Sequence, residues 1–415
     1  MLKQIRLKRF KNFKDAEIIL GSLTLIVEIN ASGKSNIRDA FRFLHGISRN
    51  YNLAEIFGEK WVEGGVLQWR GIRGGTREIT FQGAETFVIE VSFALGEEDH
   101  NQEAIYRIEV APGNNGKPPK VTAESLAVEG QKNSVFEATS VDKKGQNDLS
   151  VRVQGTPINE QIFPFTNSRP VISQLAALAP SPSVRGVATA ISALSSMRFL
   201  DLHPDAMRMP SLPGQTVLGD RGENLSSVLQ SICEDPQRKQ ALIQWIQELT
   251  PMDAIDFEFP TDFTGKILLT LIEAQGQKTS AISASDGTLR FLAMIAALLG
   301  PEPAKFYFFE ELDNGIHPTR LHLLLQLIEQ KVSQRNIQIV ATTHSSQLLR
   351  LISPKTLEYA SLTYRLEDQP NAGIIRILDI PDAKRVIKEQ DLGRLHGSAW
   401  LENVMEFLEA DEEAE

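Results

Sequence analysis

Apolar and polar positions follow two different periods along this chain, and the switches between them outline its elements. Residues 1–27 carry short apolar runs that predict two or three strands, the last ending in Leu23 to Val27. Apolar residues then recur at Ile37, Ala40, Phe41 and Leu44, the spacing of an amphipathic helix. Between about Arg77 and Val153 the period is two. Glu78-Ile79-Thr80-Phe81, Phe87 to Val91 and Ile105 to Val110 alternate, with turn residues Pro112-Gly113-Asn114-Asn115-Gly116 among them, which predicts an antiparallel sheet. From about Phe163 to Leu249 helical spacing returns at Val187, Ile191 and Leu194 and at Leu225, Val228, Leu229 and Ile232, while Pro204 to Gly219 reads as a loop. Beyond Phe257 strands and helices alternate to about Ile380. Phe306 to Phe309 and Ile337 to Ala341 are apolar throughout, as strands buried on both faces are.

These patterns predict an α/β fold in four stretches: 1–162, with an antiparallel β subdomain; 163–255, a helical insertion; 256–380, where the α/β pattern resumes; and 381–415, a helical and acidic tail. In the tail Trp400, Val404 and Leu408 share one helical face, suited to packing on the rest of the chain or to contact with a partner, and Asp411 to Glu415 is expected to fray. No internal repeat occurs, and no heptad run is long enough for a coiled-coil arm.

Composition narrows the class. At 415 residues with 42% apolar content, the chain can bury a large core. A formal charge of −10 argues against a broadly basic nucleic-acid coat, although it leaves room for a local basic groove. One cysteine, Cys233, rules out an internal disulfide and fits a reducing compartment, with a core or helix-face role for the thiol. The N-terminus lacks a signal-peptide core and no run approaches a membrane span, so the expected location is the cytoplasm.

Candidate chemistry sits where the patterns switch. Asn30-Ala31-Ser32-Gly33-Lys34-Ser35-Asn36 lies between the strand ending at Val27 and the helix at Ile37, the setting of a phosphate-binding loop. Backbone N–H groups at a helix start suit phosphate, Lys34 would reach the β- and γ-phosphates, and Ser35 would hold Mg²⁺. Glu28 stands where the loop pattern asks for glycine and puts a carboxylate near an anion. It can fit if it turns away or finds a cation, and Lys8, Arg9 and Lys11 are the expected partners. Glu310-Glu311 follows the Phe306–Phe309 strand at the end where α/β sheets place ligands. Glu310 would help hold Mg²⁺, and Glu311 could polarise the attacking water as general base. Ser285-Asp286-Gly287 opens the helix running from Leu289 to Leu299, a second anion-binding turn about 20 residues before the acidic pair. His344 ends the strand from Ile337, where an imidazole could contact a γ-phosphate or the attacking water.

In this order the motifs resemble those of ABC-type ATPases of the RecF, SMC and OLD kind, over the start of the chain and about residues 265–350. Asn30 to Asn36 resembles the family's Walker A apart from Glu28. Ser285-Asp286-Gly287 resembles its signature motif. Glu310-Glu311 resembles Walker B, with glutamate where aspartate is usual. Asn314-Gly315-Ile316-His317-Pro318 resembles the D-loop, and His344 the switch histidine. The opening Leu7 to Phe13 resembles the family's start, whose basic residues, here Arg9, lie near the nucleotide. A Q-loop glutamine, which serves the metal, is expected, and Gln68 and Gln82 both qualify.

The resemblance implies an ABC-ATPase head with a mixed or parallel core sheet, and ATP and Mg²⁺ as ligands. It implies a homodimer, or a higher homo-oligomer, in which Walker A and B of one copy face Ser285 and Gly287 of the other. Without coiled-coil arms, and with about 70 residues after His344, too few for a TOPRIM nuclease, the chain is closest to compact bacterial ATPases that act beside a separately encoded effector, often in antiphage defence. A RecF-like DNA repair ATPase, with DNA as partner, and a nucleotide-sensing scaffold that barely hydrolyses are the other readings; Glu28 favours the last.

Overall fold

In chain order the strands are β1 (Leu2–Phe10), β2 (Phe13–Ile19), β3 (Leu23–Glu28), β4 (Lys60–Val62), β5 (Val66–Trp69), β6 (Phe87–Leu95), β7 (Gln102–Ala111), β8 (Lys120–Val128), β9 (Phe136–Ser140), β10 (Leu149–Val153), β11 (Met197–Leu200), β12 (Ala254–Glu258), β13 (Thr270–Glu273), β14 (Lys278–Ser280), β15 (Phe306–Phe309), β16 (Gln338–Thr343), β17 (Ala360–Tyr364) and β18 (Gly373–Arg376). The helices are α1 (Lys34–Ser48), α2 (Leu53–Phe57), α3 (Val171–Ala176), α4 (Arg185–Ser195), α5 (Pro204–Met207), α6 (Leu225–Cys233), α7 (Pro236–Leu249), α8 (Asp286–Leu299), α9 (Leu321–Arg335), α10 (Ser346–Leu349), α11 (Pro354–Leu357), α12 (Ala383–Gln390) and α13 (Leu392–Gly397). This computed structural model describes residues 1–28, 33–63, 66–95, 102–113, 116–131, 133–140, 149–154, 165–177, 185–249, 253–335, 337–366, 369–401 and 403–406. Of the residues singled out in the sequence, Asn30, Ala31, Ser32, Asn114, Asn115, Leu408 and the acidic end from Asp411 lie outside them.

The chain forms two units. The first gathers Met1–Gly21, Ile26–Met197 and Glu358–Pro381; the second gathers Ser22–Leu25, Arg198–Leu357 and Asp382–Glu415. Strand β3 is covalently common to both, and residues 163–255 are divided between them.

The first unit is built on a seven-stranded antiparallel sheet in the order β10-β9-β8-β7-β6-β1-β2. Its period-two pattern is the cause: Ile5, Leu7 and Phe10 on β1 and Phe87, Ile89 and Val91 on β6 are buried. Helix α1 lays Ile37, Ala40, Phe41, Leu44 and Ile47 into this core. Phe43 of α1 meets Phe87 edge-on at 5.4 Å, and Phe87 meets Phe10 at the same 5.4 Å, so helix and sheet lock through aromatic contacts. The expected strand at Glu78 to Phe81 does not form. Thr80 makes a single bridge to Phe10, and a 3₁₀ turn (Phe81–Gly83) follows with Gln82 at φ 46° and Gly83 at φ 73°. Left-handed backbone there stops pairing although Ile79 is buried.

The same unit buries one acid. Glu124, 2% exposed on β8, accepts from Val171 N at 2.6 Å, Ile172 N at 2.8 Å and the Tyr106 hydroxyl at 3.0 Å. Burial pushes its carboxyl up to about 7, against the pull of these three donors.

In the second unit β15 and β16 pair in parallel, Phe308 opposite Val340. Both are buried at every position, as continuous apolar runs require. Strand β11, which the periodicity missed, flanks β15, and the start of β3 flanks β16 through Ile339 N donating to Ser22 O at 2.8 Å. Helix α8 buries residues on all sides, among them Leu289, Phe291, Leu292, Ile295 and Leu298, each contributing about 1.5–3 kcal/mol. Near the C-terminus Leu401 and Met405 are the buried residues, at 1% and 3% exposure, while Trp400 and Val404 are half-buried. Cys233 is free and half-buried, its thiol pushed up to about 12 by burial. Among the described residues no helix is long and apolar enough to cross a membrane.

Candidate functional site

In the first unit the candidate phosphate loop has the expected frame. Strand β3 enters buried, and α1 begins at Lys34 with Gly33 before it at φ 117°. Glycine is required there twice over: the φ is left-handed, and a Cβ would lie 2.7 Å from the Asn12 side-chain nitrogen. Ser35 and Asn36 are half-buried in the first turn, with no acidic residue to oppose an anion there. Asn36 Nδ2 donates to Asn12 Oδ1 at 2.7 Å, tying the helix start to the β1–β2 turn.

Lys34 does not point into an open site. Its ammonium lies 2.7 Å from Glu28 Oε2, with the two side chains 10% and 7% exposed. The pairing expected from sequence is thus corrected, because Lys8, Arg9 and Lys11 are committed elsewhere. Lys8 sits across the strand pair from Asp15 at 3.9 Å, and Arg9 reaches Glu109 on β7 at 3.3 Å. Lys11 reaches Asp39 on α1 at 3.2 Å. Arg9 also donates to the Thr86 carbonyl at 3.0 Å, so its guanidinium is held on the antiparallel sheet.

The cations beside the start of α1 are instead Lys11 and Arg73. Both grip Asp39, which is 1% exposed, with Arg73 Nε at 3.1 Å. Arg73 also reaches Asn36 Oδ1 at 3.4 Å, and Lys11 donates to the Arg73 carbonyl. Burial pulls the Lys11 ammonium below its ordinary value, while Asp39 works in the other direction. Lys11, Asn36 and Arg73, with Asn12, Glu78, Phe81 and Gln82, line a cavity of about 330 Å³. Of the two candidate Q-loop glutamines, Gln82 lines this cavity, and Gln68 lies exposed on the β4–β5 hairpin. Arg73 carried no motif in the sequence and its role was not legible there.

The second unit assembles the other motifs. Glu310 N donates to Leu200 O at 3.0 Å, closing the end of β15 on β11. Glu311 then takes φ 49°, a left-handed conformation unusual for glutamate and typical of residues held for a function. Threonines ending β16 hold this turn. Thr342 Oγ1 accepts from Glu311 N at 2.9 Å, Thr342 O accepts from Leu312 N at 3.0 Å, and Thr343 Oγ1 donates to Asp313 at 2.6 Å. Thr343 Oγ1 also accepts from Ser345 N at 3.0 Å, which fixes the backbone on either side of the exposed His344. Glu311 and His344 therefore emerge from one stitched pair of strand ends. Asn314 Nδ2 donates to Glu311 Oε2 at 2.9 Å.

Ser285 caps α8, its Oγ accepting from Thr288 N at 3.1 Å, so the helix starts at Asp286 rather than Leu289. Arg208, just past α5, fastens this turn: it donates to Asp286 at 2.6 Å, Ala284 O at 3.0 Å and Ile282 O at 3.3 Å. The pairing spans 78 positions and left no trace in the sequence. Gly287 packs on Gly315 so closely that a Cβ would lie 2.1 Å from the Gly315 carbonyl oxygen.

Residues 200–350 match the family model described as "AAA domain, putative AbiEii toxin, Type IV TA system". A curated relative, "ATP/GTP phosphatase" of Helicobacter pylori (strain ATCC 700392 / 26695), is 24% identical over 362 residues, covering 85% of this chain and 87% of that protein. Among solved structures, an SMC head bound to the C-winged helix domain of ScpA superposes with TM-score 0.49 at 14% identity, covering 90% of this chain and 97% of that one. The SMC head domain from Thermotoga maritima gives TM-score 0.42 at 14% identity, with 91% and 98% covered. Motifs, family model and curated relative agree: the chain is similar to ATPases of the ABC type, in the RecF, SMC and OLD group.

Proposed function

We propose that the chain binds and hydrolyses ATP, and that two copies close around the nucleotide. The observation that carries this reading is Gly33-Lys34-Ser35 at the start of a helix of 15 residues, the next element in the chain after a buried strand. Helix-start N–H groups and the Lys34 ammonium bind the β- and γ-phosphates. The polar cavity beside α1 takes the rest of the nucleotide, Phe81 offering an aromatic face and Asn12 and Gln82 hydrogen bonds. The Ser35 hydroxyl and the half-buried Glu310 carboxylate are hard oxygen donors of the kind Mg²⁺ takes. Donors of this kind would hold a Mg²⁺ ion, which would supply charge neutralisation at the β- and γ-phosphates. Glu311 accepts the proton of the attacking water, and His344 contacts the γ-phosphate. Ser285 and Gly287 serve the nucleotide of the opposite copy.

The output of this cycle is control of a separately encoded effector in antiphage defence. The family description naming a putative toxin of a toxin–antitoxin system supports this reading. A weakly hydrolysing nucleotide sensor is the second reading, and the Glu28–Lys34 ion pair favours it. Lys34→Ala tests the core assignment. It should weaken calorimetric ATP binding by at least tenfold, a loss of about 1.4 kcal/mol or more, and abolish turnover. Equal affinity and turnover in the two proteins would remove the phosphate-loop reading.

A further inference from the structure

The backbone of Glu311 is fixed by β16, but its carboxylate is exposed on a long side chain. A general base must be held in a narrow range of positions to act on one water. Here the hold comes from three residues along the chain. Asn314 Nδ2–H donates to Oε2 at 2.9 Å and leaves Oε1 as the proton acceptor. Asn314 is itself placed by the next residue: Gly315, at φ 77°, lies backbone to backbone against Gly287, and its carbonyl oxygen leaves no room for a Cβ at position 287.

We propose that Asn314 is a positioning residue for Glu311, seated by the Gly287–Gly315 contact so that the Ser285–Gly287 turn and the general base move as one piece. The proposal rests on the reading of Glu311 as the base. It gives the small residue at position 287 a role in its own chain's Glu311 besides any contact with the opposite nucleotide. A shift of the signature turn on dimer closure would then be felt at Glu311 through two short links.

The test is single-turnover ATP hydrolysis for the full-length parent, Asn314→Ala, Asn314→Asp, Glu311→Gln and the double variant Glu311→Gln with Asn314→Ala. Removing the donor should lower the hydrolysis rate by roughly tenfold, a fraction of the roughly 10²–10⁴-fold that general-base catalysis supplies, with half-saturating ATP changed by less than about twofold. Asn314→Asp, nearly isosteric but without an N–H donor, should be at least as slow. In the Glu311→Gln background Asn314→Ala should lower the rate no further, because its effect passes through the carboxylate already lost. A further loss of about tenfold in the double variant would overturn the proposal, since a loosened loop lowers the rate whether or not the carboxylate is present. Parent-like rates in Asn314→Ala alongside an inactive Glu311→Gln would also overturn it while leaving the base reading intact. Parent-like rates in Glu311→Gln would instead sink the base reading beneath it.

Discussion

Glu28→Gln should tighten nucleotide binding. The Glu28 carboxylate and the Lys34 ammonium are 2.7 Å apart and nearly excluded from water. At an effective dielectric constant near 20 their gross attraction is about 6 kcal/mol. Desolvation of two buried charges offsets most of that. What an incoming phosphate must displace is closer to the net worth of a charged hydrogen bond, about 1.5–3 kcal/mol. A neutral amide in place of the carboxylate removes the charged partner of Lys34 that competes with phosphate and removes a like charge from beside the phosphate. The dissociation constant should therefore fall by about ten- to a hundredfold, at 1.4 kcal/mol per decade. Titration calorimetry with Mg²⁺ and a non-hydrolysable ATP analogue, parent against Glu28→Gln, reads this directly. Dissociation constants agreeing within about twofold would show that Lys34 keeps Glu28 as partner while nucleotide binds, and the competition argument would be refuted.

Two further perturbations probe different parts of the molecule. Ser285→Arg should leave ATP binding intact but lower turnover by roughly 10²-fold, the scale for losing one preorganised phosphate contact, and mixing it with Lys34→Ala should restore at most one working site per dimer; normal hydrolysis by Ser285→Arg alone would exclude action across the interface. For Glu124, a folded value of about 7 against 4.5 ordinarily means that its contribution to stability is fully present below pH 4.5 and is lost as pH rises through 7. The difference is on the order of 3 kcal/mol at 1.36 kcal/mol per pH unit, and Glu124→Gln should remove this slope. Urea unfolding of both proteins at pH 5 and pH 8 measures it, and equal pH dependence would rule the assignment out.

The frame of the site was legible because it is local. A buried strand, a glycine at φ 117° and an amphipathic helix are each written in consecutive residues, and the structure places them as β3, Gly33 and α1. The parallel pair β15–β16 was equally legible, since uninterrupted apolar runs fit strands covered on both faces. Periodicity failed where it reports burial rather than pairing. Glu78 to Phe81 alternates and Ile79 is buried, yet Gln82 and Gly83 turn left-handed and only a bridge forms. Strand β11 escaped because its 4 residues are too few for a period to emerge. The network around Arg73 and the Arg208 clasp escaped because their partners are 34 and 78 positions away. The partner of Glu28 is hidden for a different reason. A lysine in a phosphate loop reads as a phosphate ligand rather than an ion-pair partner, while Lys8, Arg9 and Lys11 meet acids on the neighbouring strands and on α1.

The central claim, ATP hydrolysis with Glu311 as general base, is tested most directly by measuring ATP affinity and turnover of Glu311→Gln beside the parent. The account predicts unchanged binding, turnover reduced by roughly 10²-fold or more, and an ATP-bound dimer that persists on size-exclusion chromatography. Turnover equal to the parent's would contradict it, whatever the dimer does.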